Sequence, residues 1–167
     1  MLTANANPVF IGHMKTKIFG LTLAFCFLAA TMCFAADPQM GTWRLNESKS
    51  KLGAGTGKNS TVTYKSILGN VKVTIDGIDA EGKPAHNAWT GKFDGKDYPV
   101  TGDPNTDWRS YRKVNDHTLE FAQKKAGKTL VSGRIVVSAN GKTRTVNASG
   151  TNPKGKKFKS TAVYDKE

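Results

Sequence analysis

The chain has 167 residues, with 25 Lys and Arg against 13 Asp and Glu, a formal net charge of +12. That length supports one domain behind a targeting segment and is too short for two comfortable ones. A chain with only 2 cysteines, Cys26 and Cys33, both close to the amino terminus, is not a disulfide-stapled scaffold.

Lys15 and Lys17 form a small positive region ahead of residues 18–34, an uncharged run that is apolar apart from Gly20, Thr22, Cys26, Thr31 and Cys33. Cys33 and Ala35 place small residues at −3 and −1, so the pattern predicts a signal peptide cut between Ala35 and Ala36. A cut one residue later would put the bulky Phe34 at −3. The stretch before Met14 lacks the look of a charged leader, which points to Met14 as the start of translation. The other reading is an uncleaved anchor, but the run sits at the short end of the roughly 17–25 residues a spanning helix needs. Lipidation is disfavoured because Phe25 and Met32 precede the cysteines, where a small residue is wanted. The expected product begins at Ala36, is periplasmic or secreted, and keeps neither thiol. Losing Lys15 and Lys17 leaves 23 basic residues against 13 acids.

Along residues 36–167, turn signals recur every 10 to 14 residues or so: Leu68-Gly69-Asn70, Ala80 to Lys83, Asp94-Gly95-Lys96, Gly102 to Asn105, Asn115-Asp116, Ala126-Gly127-Lys128, Asn140-Gly141-Lys142 and Asn152 to Gly155. Asn-Gly and Asp-Gly pairs suit two-residue hairpins, whose central positions both need positive φ. Between the turns the apolar residues alternate, as in Val71, Val73 and Ile75 or Phe158, Ser160, Ala162 and Tyr164. This predicts ten strands, near 41–46, 60–66, 70–77, 84–93, 97–101, 107–114, 117–124, 128–138, 142–150 and 156–165, in an antiparallel meander closed as a barrel or folded as a sandwich. The polar, Gly-rich segment 47–59 reads as a flexible loop or lid. No helical stripe is visible.

The first strand opens with Gly41-Thr42-Trp43-Arg44-Leu45. Gly-x-Trp ahead of such a meander resembles the lipocalin and fatty-acid-binding superfamily. With 94–105, 137–143 and 162–166, most of residues 41–166 resembles secreted lipocalin-like (calycin-type) bacterial proteins. The resemblance implies an all-β, up-and-down barrel of about eight to ten strands, with Trp43 as a plug at its base, and no particular activity. Thr106-Asp107-Trp108 echoes a second lipocalin motif only superficially. The chain departs from the pattern in having Lys157 and Lys159 on the last strand, where lipocalins pack an Arg over the Trp. It also shows neither a carboxy-terminal helix nor a helical pair after strand one.

A barrel of this size fills its interior with side chains or holds one small ligand. The candidate lining is Tyr64, Trp89, Phe93, Trp108, Tyr111, Phe121, Phe158 and Tyr164, an apolar set of the kind small-molecule sites use; plain core is the competing reading. Arg109, Arg112, Arg134 and Arg144 lie on predicted strands, and an inward Arg beside aromatics suits a carboxylate or phosphate head group. Catalysis is poorly supplied. His86 and His117 stand apart from nucleophile and zinc-site spacings, and no cofactor or metal is expected.

The basic balance favours polyanions, with Lys154, Lys156, Lys157 and Lys159 around Phe158 as the densest cluster and Lys124, Lys125 and Lys128 on another hairpin. Lys-rich faces also serve solubility and protect strand edges. For an exported protein the natural anionic partner is an envelope polymer or lipid head group, and nucleic acid is not expected. Asn46, Asn59 and Asn147 open Asn-x-Ser/Thr matches that matter only in a glycosylating pathway. Two functions follow: a non-catalytic carrier of a small apolar or amphipathic molecule, or a filled barrel that uses its basic face on anionic polymers.

Overall fold

The computed structural model describes residues 37–167, which fall in one compact unit, Phe34–Glu167. The expected signal peptide, its cleavage site and both cysteines lie outside the described residues.

Ten strands run in chain order: β1 (Gly41–Leu45), β2 (Lys58–Ile67), β3 (Asn70–Ile78), β4 (Pro84–Gly91), β5 (Tyr98–Thr101), β6 (Trp108–Asn115), β7 (Thr118–Lys125), β8 (Lys128–Val137), β9 (Thr143–Thr151) and β10 (Lys157–Lys166). Every neighbour in sequence is a neighbour in space, and β1 pairs with both β2 and β10, so the sheet closes into an up-and-down antiparallel barrel. Closure leaves no long edge to protect. The predicted ladder of strands and turns is therefore correct in number and topology.

The turns work as their residues dictate. Leu68 (φ 47°) and Gly69 (φ 78°) are both left-handed, as are Ala126 (φ 47°) and Gly127 (φ 76°). This is the conformation whose twist suits a two-residue hairpin. Alternation then sends one set of side chains inward: Trp43, Val62, Tyr64, Val73, Ile75, Trp89, Tyr111, Leu119, Ile135, Val137, Ala162 and Tyr164 form one buried cluster. The register is continuous around most of the ring, with shifts at Asn59/Thr61, Lys113/Asn115 and Gln123/Lys124. The seam at β5 is the thinnest, with two register pairs to β4 and two to β6.

The segment after β1 is not the free lid expected from its composition. Glu47–Lys49 forms one turn of 3-10 helix capped by the Asn46 side chain. Lys51 then exchanges backbone hydrogen bonds of 2.7 and 2.8 Å with Thr161 of β10. Ser50 Oγ also accepts from the Val163 amide at 2.9 Å. The polar residues that look like a loop in sequence are spent pinning the chain to β10.

Outside the barrel, Glu120 of β7 is held between Arg112 and Arg134, the latter at 2.8 Å, and these arginines hold its carboxyl below the usual range. Asp107 is lowered by the Ala126 amide and Lys125, and Asp116 by Lys113. Because these groups are more acidic folded than unfolded, their stabilisation is complete above about pH 4–5 and fades as pH falls through the folded values. Urea midpoints are expected to hold steady from neutral pH to about 5 and to decline below it. Glu120→Gln should flatten part of that decline, and an unchanged acid limb in this variant would show that the Glu120 pairs contribute nothing.

Candidate functional site

One end of the barrel is sealed from the first strand. Trp43 is fully buried, and its Nε1 donates to the Gln39 carbonyl at 3.0 Å. Two cations sit over its ring: the Arg144 guanidinium carbon lies 5.8 Å from the centroid and Lys166 Nζ lies 5.0 Å away. Trp43, expected as a base plug, is thus buried with a hydrogen bond and two cations on it. The cation that covers it comes from Arg144 of β9 and Lys166 at the end of β10, not from Lys157 or Lys159. The register explains this: Trp43 is opposite Lys166, whereas Lys157 and Lys159 lie at the far end of β10 and face outward.

Above the plug lies an aromatic floor. Tyr111 meets Trp89 at 4.8 Å and Tyr64 at 6.2 Å between centroids, both edge-on. Phe93 stacks on Trp89 at 6.4 Å, and Phe121 lies 6.3 Å from Tyr111. Tyr98, which the sequence reading did not include, completes the cluster at 5.7 Å from Trp89. It stands on a predicted strand at the alternate position to Val100, so the period of two already marked it. Edge-on packing at these distances adds to area burial.

One of the expected lining residues falls on the other face, and another lies outside the buried cluster. Trp108 points outward and is 44% exposed, because Arg109 and Tyr111 take the inward positions of β6 and alternation puts Trp108 on the other face. Phe158 is half-buried at the opposite end of β10, where its ring lies against Gly53, and it is not part of the buried cluster. Tyr64, Trp89, Tyr111 and Tyr164 are buried, with Phe93 and Phe121 packed against them.

The four arginines divide by the same alternation. Arg112 and Arg134 are on the outside, committed to Glu120. Arg109 and Arg144 are inside and 1% and 3% exposed. Arg109 reaches Asn87 Oδ1 with both terminal nitrogens at 3.3 Å, and Asp103 is 3.8 Å away. Arg144 has no carboxylate within ion-pair distance among the described residues; its guanidinium lies over Tyr64 at 4.6 Å and Tyr164 at 5.4 Å as well as over Trp43. Its Nε and Nη1 are buried without hydrogen-bond partners, as is Arg109 Nε. Burial pushes the Tyr64 and Tyr164 hydroxyls up, against the lowering effect of the Arg144 charge, so both remain neutral donors.

The half of the barrel away from Trp43 is built differently. The inward residues of β8–β10 there are Gly133, Ala148, Gly150 and Ser160, by register with Phe121 and Phe158, and none is fully buried. A wall of small residues thus faces the aromatic floor, with Arg109 held beside Asn87 and Asp103 and Arg144 at the plug end. Such an arrangement can hold an apolar body and neutralise an anionic end; it offers no paired acid and base. His86 Nδ1 is 2.6 Å from Asp76 Oδ1 on the outside of β3 and β4, a carboxylate brought to it by strand pairing. His117 Nδ1 lies 3.2 Å from the Val137 carbonyl.

No protein-family model matches the chain, and no curated protein sequence matches it. Solved structures similar to it include EF1p2_mFAP2b bound to DFHBI, at 10% identity over 80% of this chain and 97% of that one with a TM-score of 0.47, and the redesigned β-barrel mFAP1 bound to DFHBI, at 15% identity over 77% and 95% with a TM-score of 0.41.

Proposed function

We propose that this is an exported, non-catalytic, lipocalin-like binding protein whose barrel takes one small amphipathic molecule, with its anionic end toward Arg144 and its apolar body between the aromatic floor and the small-residue wall. The observation that carries the reading is Arg144: a permanently charged group, 3% exposed, with two N–H donors unmet. A buried guanidinium without a counter-ion is costly, and three aromatic faces offset only part of that cost. A carboxylate, sulfonate or phosphate would meet one of these nitrogens together with Nη2, in the bidentate manner Arg favours.

Native mass spectrometry of protein recovered from its host tests both halves of the proposal. The expected mass starts at Ala36 and carries a small adduct. A mass that retains residues 1–35 would overturn export, and an adduct-free protein that also ignores amphipathic anions would overturn ligand binding.

A second prediction isolates Arg144. Titration with 1-anilinonaphthalene-8-sulfonate is expected to saturate at one site, and Arg144→Met, which keeps an unbranched side chain over Trp43, should weaken it by about tenfold or more, the loss of one charge-assisted contact. An equal loss for an uncharged amphiphile would reassign Arg144 to the structural plug alone.

A further inference from the structure

Charge is not spread evenly over this barrel. Between Glu120 and Asp165 there is no Asp or Glu, yet the stretch holds ten Lys and Arg. It folds into most of β7 and all of β8 and β9, with nearly all of β10, adjacent staves of the ring. Lys124, Lys125 and Arg134 are answered by Asp97, Asp107 and Glu120 from outside the stretch, and Arg144 is interior. The other six, all Lys, form no ion pair among the described residues.

This face also carries relief. Two adjoining hollows, of about 500 and 540 Å³, share Ser132, Ser149 and Lys159. Their bounding rows are outward ones: Thr151 with Lys157 at one end, Ser132 with Ser149 and Lys159 across the middle, and Asn147 with Thr161 at the other. Lys51 joins that last row through its pairing with Thr161, so a lysine from beyond β1 completes a set otherwise drawn from β8–β10. The outward residues of the middle row, Ser132 and Ser149, are short, and the long Lys159 stands beside them. The result is one trough across three strands, lined by hydroxyls, an amide and three unpaired lysines, with Leu130, Val131 and Phe158 at one end and no carboxylate in it.

We propose that this trough binds a linear acidic polysaccharide, a uronate-type chain whose carboxylates meet Lys51, Lys157 and Lys159 while its hydroxyls exchange hydrogen bonds with the Ser, Thr and Asn row. Charge complementarity selects a polyanion. Shape and lining then select among polyanions. The hollow is long and rich in hydroxyls, which suits a chain of sugars. It exposes no apolar projection to enter a bilayer, and its one aromatic, Phe158, lies against Gly53, so no free ring is offered for stacking bases. The site is separate from the barrel interior and does not depend on the ligand proposed there.

The test uses polygalacturonate as the probe and the purified protein, with calorimetric titration at a series of salt concentrations. Wild type is expected to bind at low salt and to weaken steadily as salt rises, the mark of released counterions. The triple variant Lys51→Gln, Lys157→Gln, Lys159→Gln should lose about tenfold or more in affinity. Removal of the same charge across the barrel, Lys65→Gln, Lys72→Gln, Lys92→Gln, should cost less than about threefold, since those lysines act only through the long-range field. Circular dichroism melts of both variants verify that each is folded. Equal losses in the two triples would reduce the effect to net charge and overturn the site. So would absence of binding at low salt, or tighter binding to phosphatidylglycerol vesicles or to single-stranded oligonucleotide than to polygalacturonate.

Discussion

Replacing Trp43 by alanine is expected to cost about 4 kcal/mol of stability and to lower the melting temperature by roughly 15 °C. Full burial of the largest side chain in the protein sets the scale, since truncating a buried Trp leaves a void its neighbours cannot close. Three further losses add to it. The Gln39 carbonyl loses its donor, and Arg144 and Lys166 each lose a ring face, at about 0.5–2 kcal/mol per cation. Against a total stability of about 5–15 kcal/mol for a domain, this is a loss of the first rank. Trp43→Phe keeps a ring beneath the cations but not the N–H, and is expected to retain more than half of the lost stability. Thermal melts of the three proteins measure this directly. If alanine and phenylalanine fall by the same amount, the plug acts through the indole N–H and not through its volume.

The architecture was legible because three local signals agreed. Turn residues fell at regular spacing, apolar residues alternated between them, and Gly-x-Trp marked the first strand. Each strand edge came within two residues of its place, for hairpin register follows from turn type and from which face must be buried. Position around the ring was less legible. The aromatic list went astray at Trp108, where the strand also carries Arg109 and Tyr111 and apolarity alone picks the wrong parity. Arg109 and Arg144 could not be told from Arg112 and Arg134 by composition, because each pair lies on strands of mixed polarity. Which cations cover Trp43 is not legible in its neighbourhood, because register brings Arg144 from β9 and Lys166 from the end of β10. Segment 47–59 looked free because its anchors are backbone groups of β10, invisible in its own sequence. The acid-free run from 121 to 164 stands in the sequence, but only strand order makes it one face and only pairing adds Lys51 to it.

The second large effect concerns the thin seam. Gly102→Ala is expected to destabilise the protein by about 3 kcal/mol, whereas Gly69→Ala should cost only about 1 kcal/mol. The two glycines share a backbone conformation, φ 79° and 78°, so the strain of a left-handed L-residue is common to both. They differ in surroundings. A Cβ on Gly69 meets nothing within 4 Å, while one on Gly102 would lie 2.4 Å from the His86 carbonyl and 3.3 Å from the Asn87 Cα. Relief requires β4 and the end of β5 to move apart, and β5 is held by only two register pairs on each side. The adjoining Asp103 is the carboxylate beside Arg109, and Asn87 is its hydrogen-bond partner, so the same movement loosens the polar cage of one interior arginine. Denaturant unfolding supplies the two losses, and amide exchange locates them: protection should fall first in β5 and the start of β4, with β8–β10 unchanged. Uniform loss around the ring would mean that the barrel opens as a whole and that the seam has no separate identity.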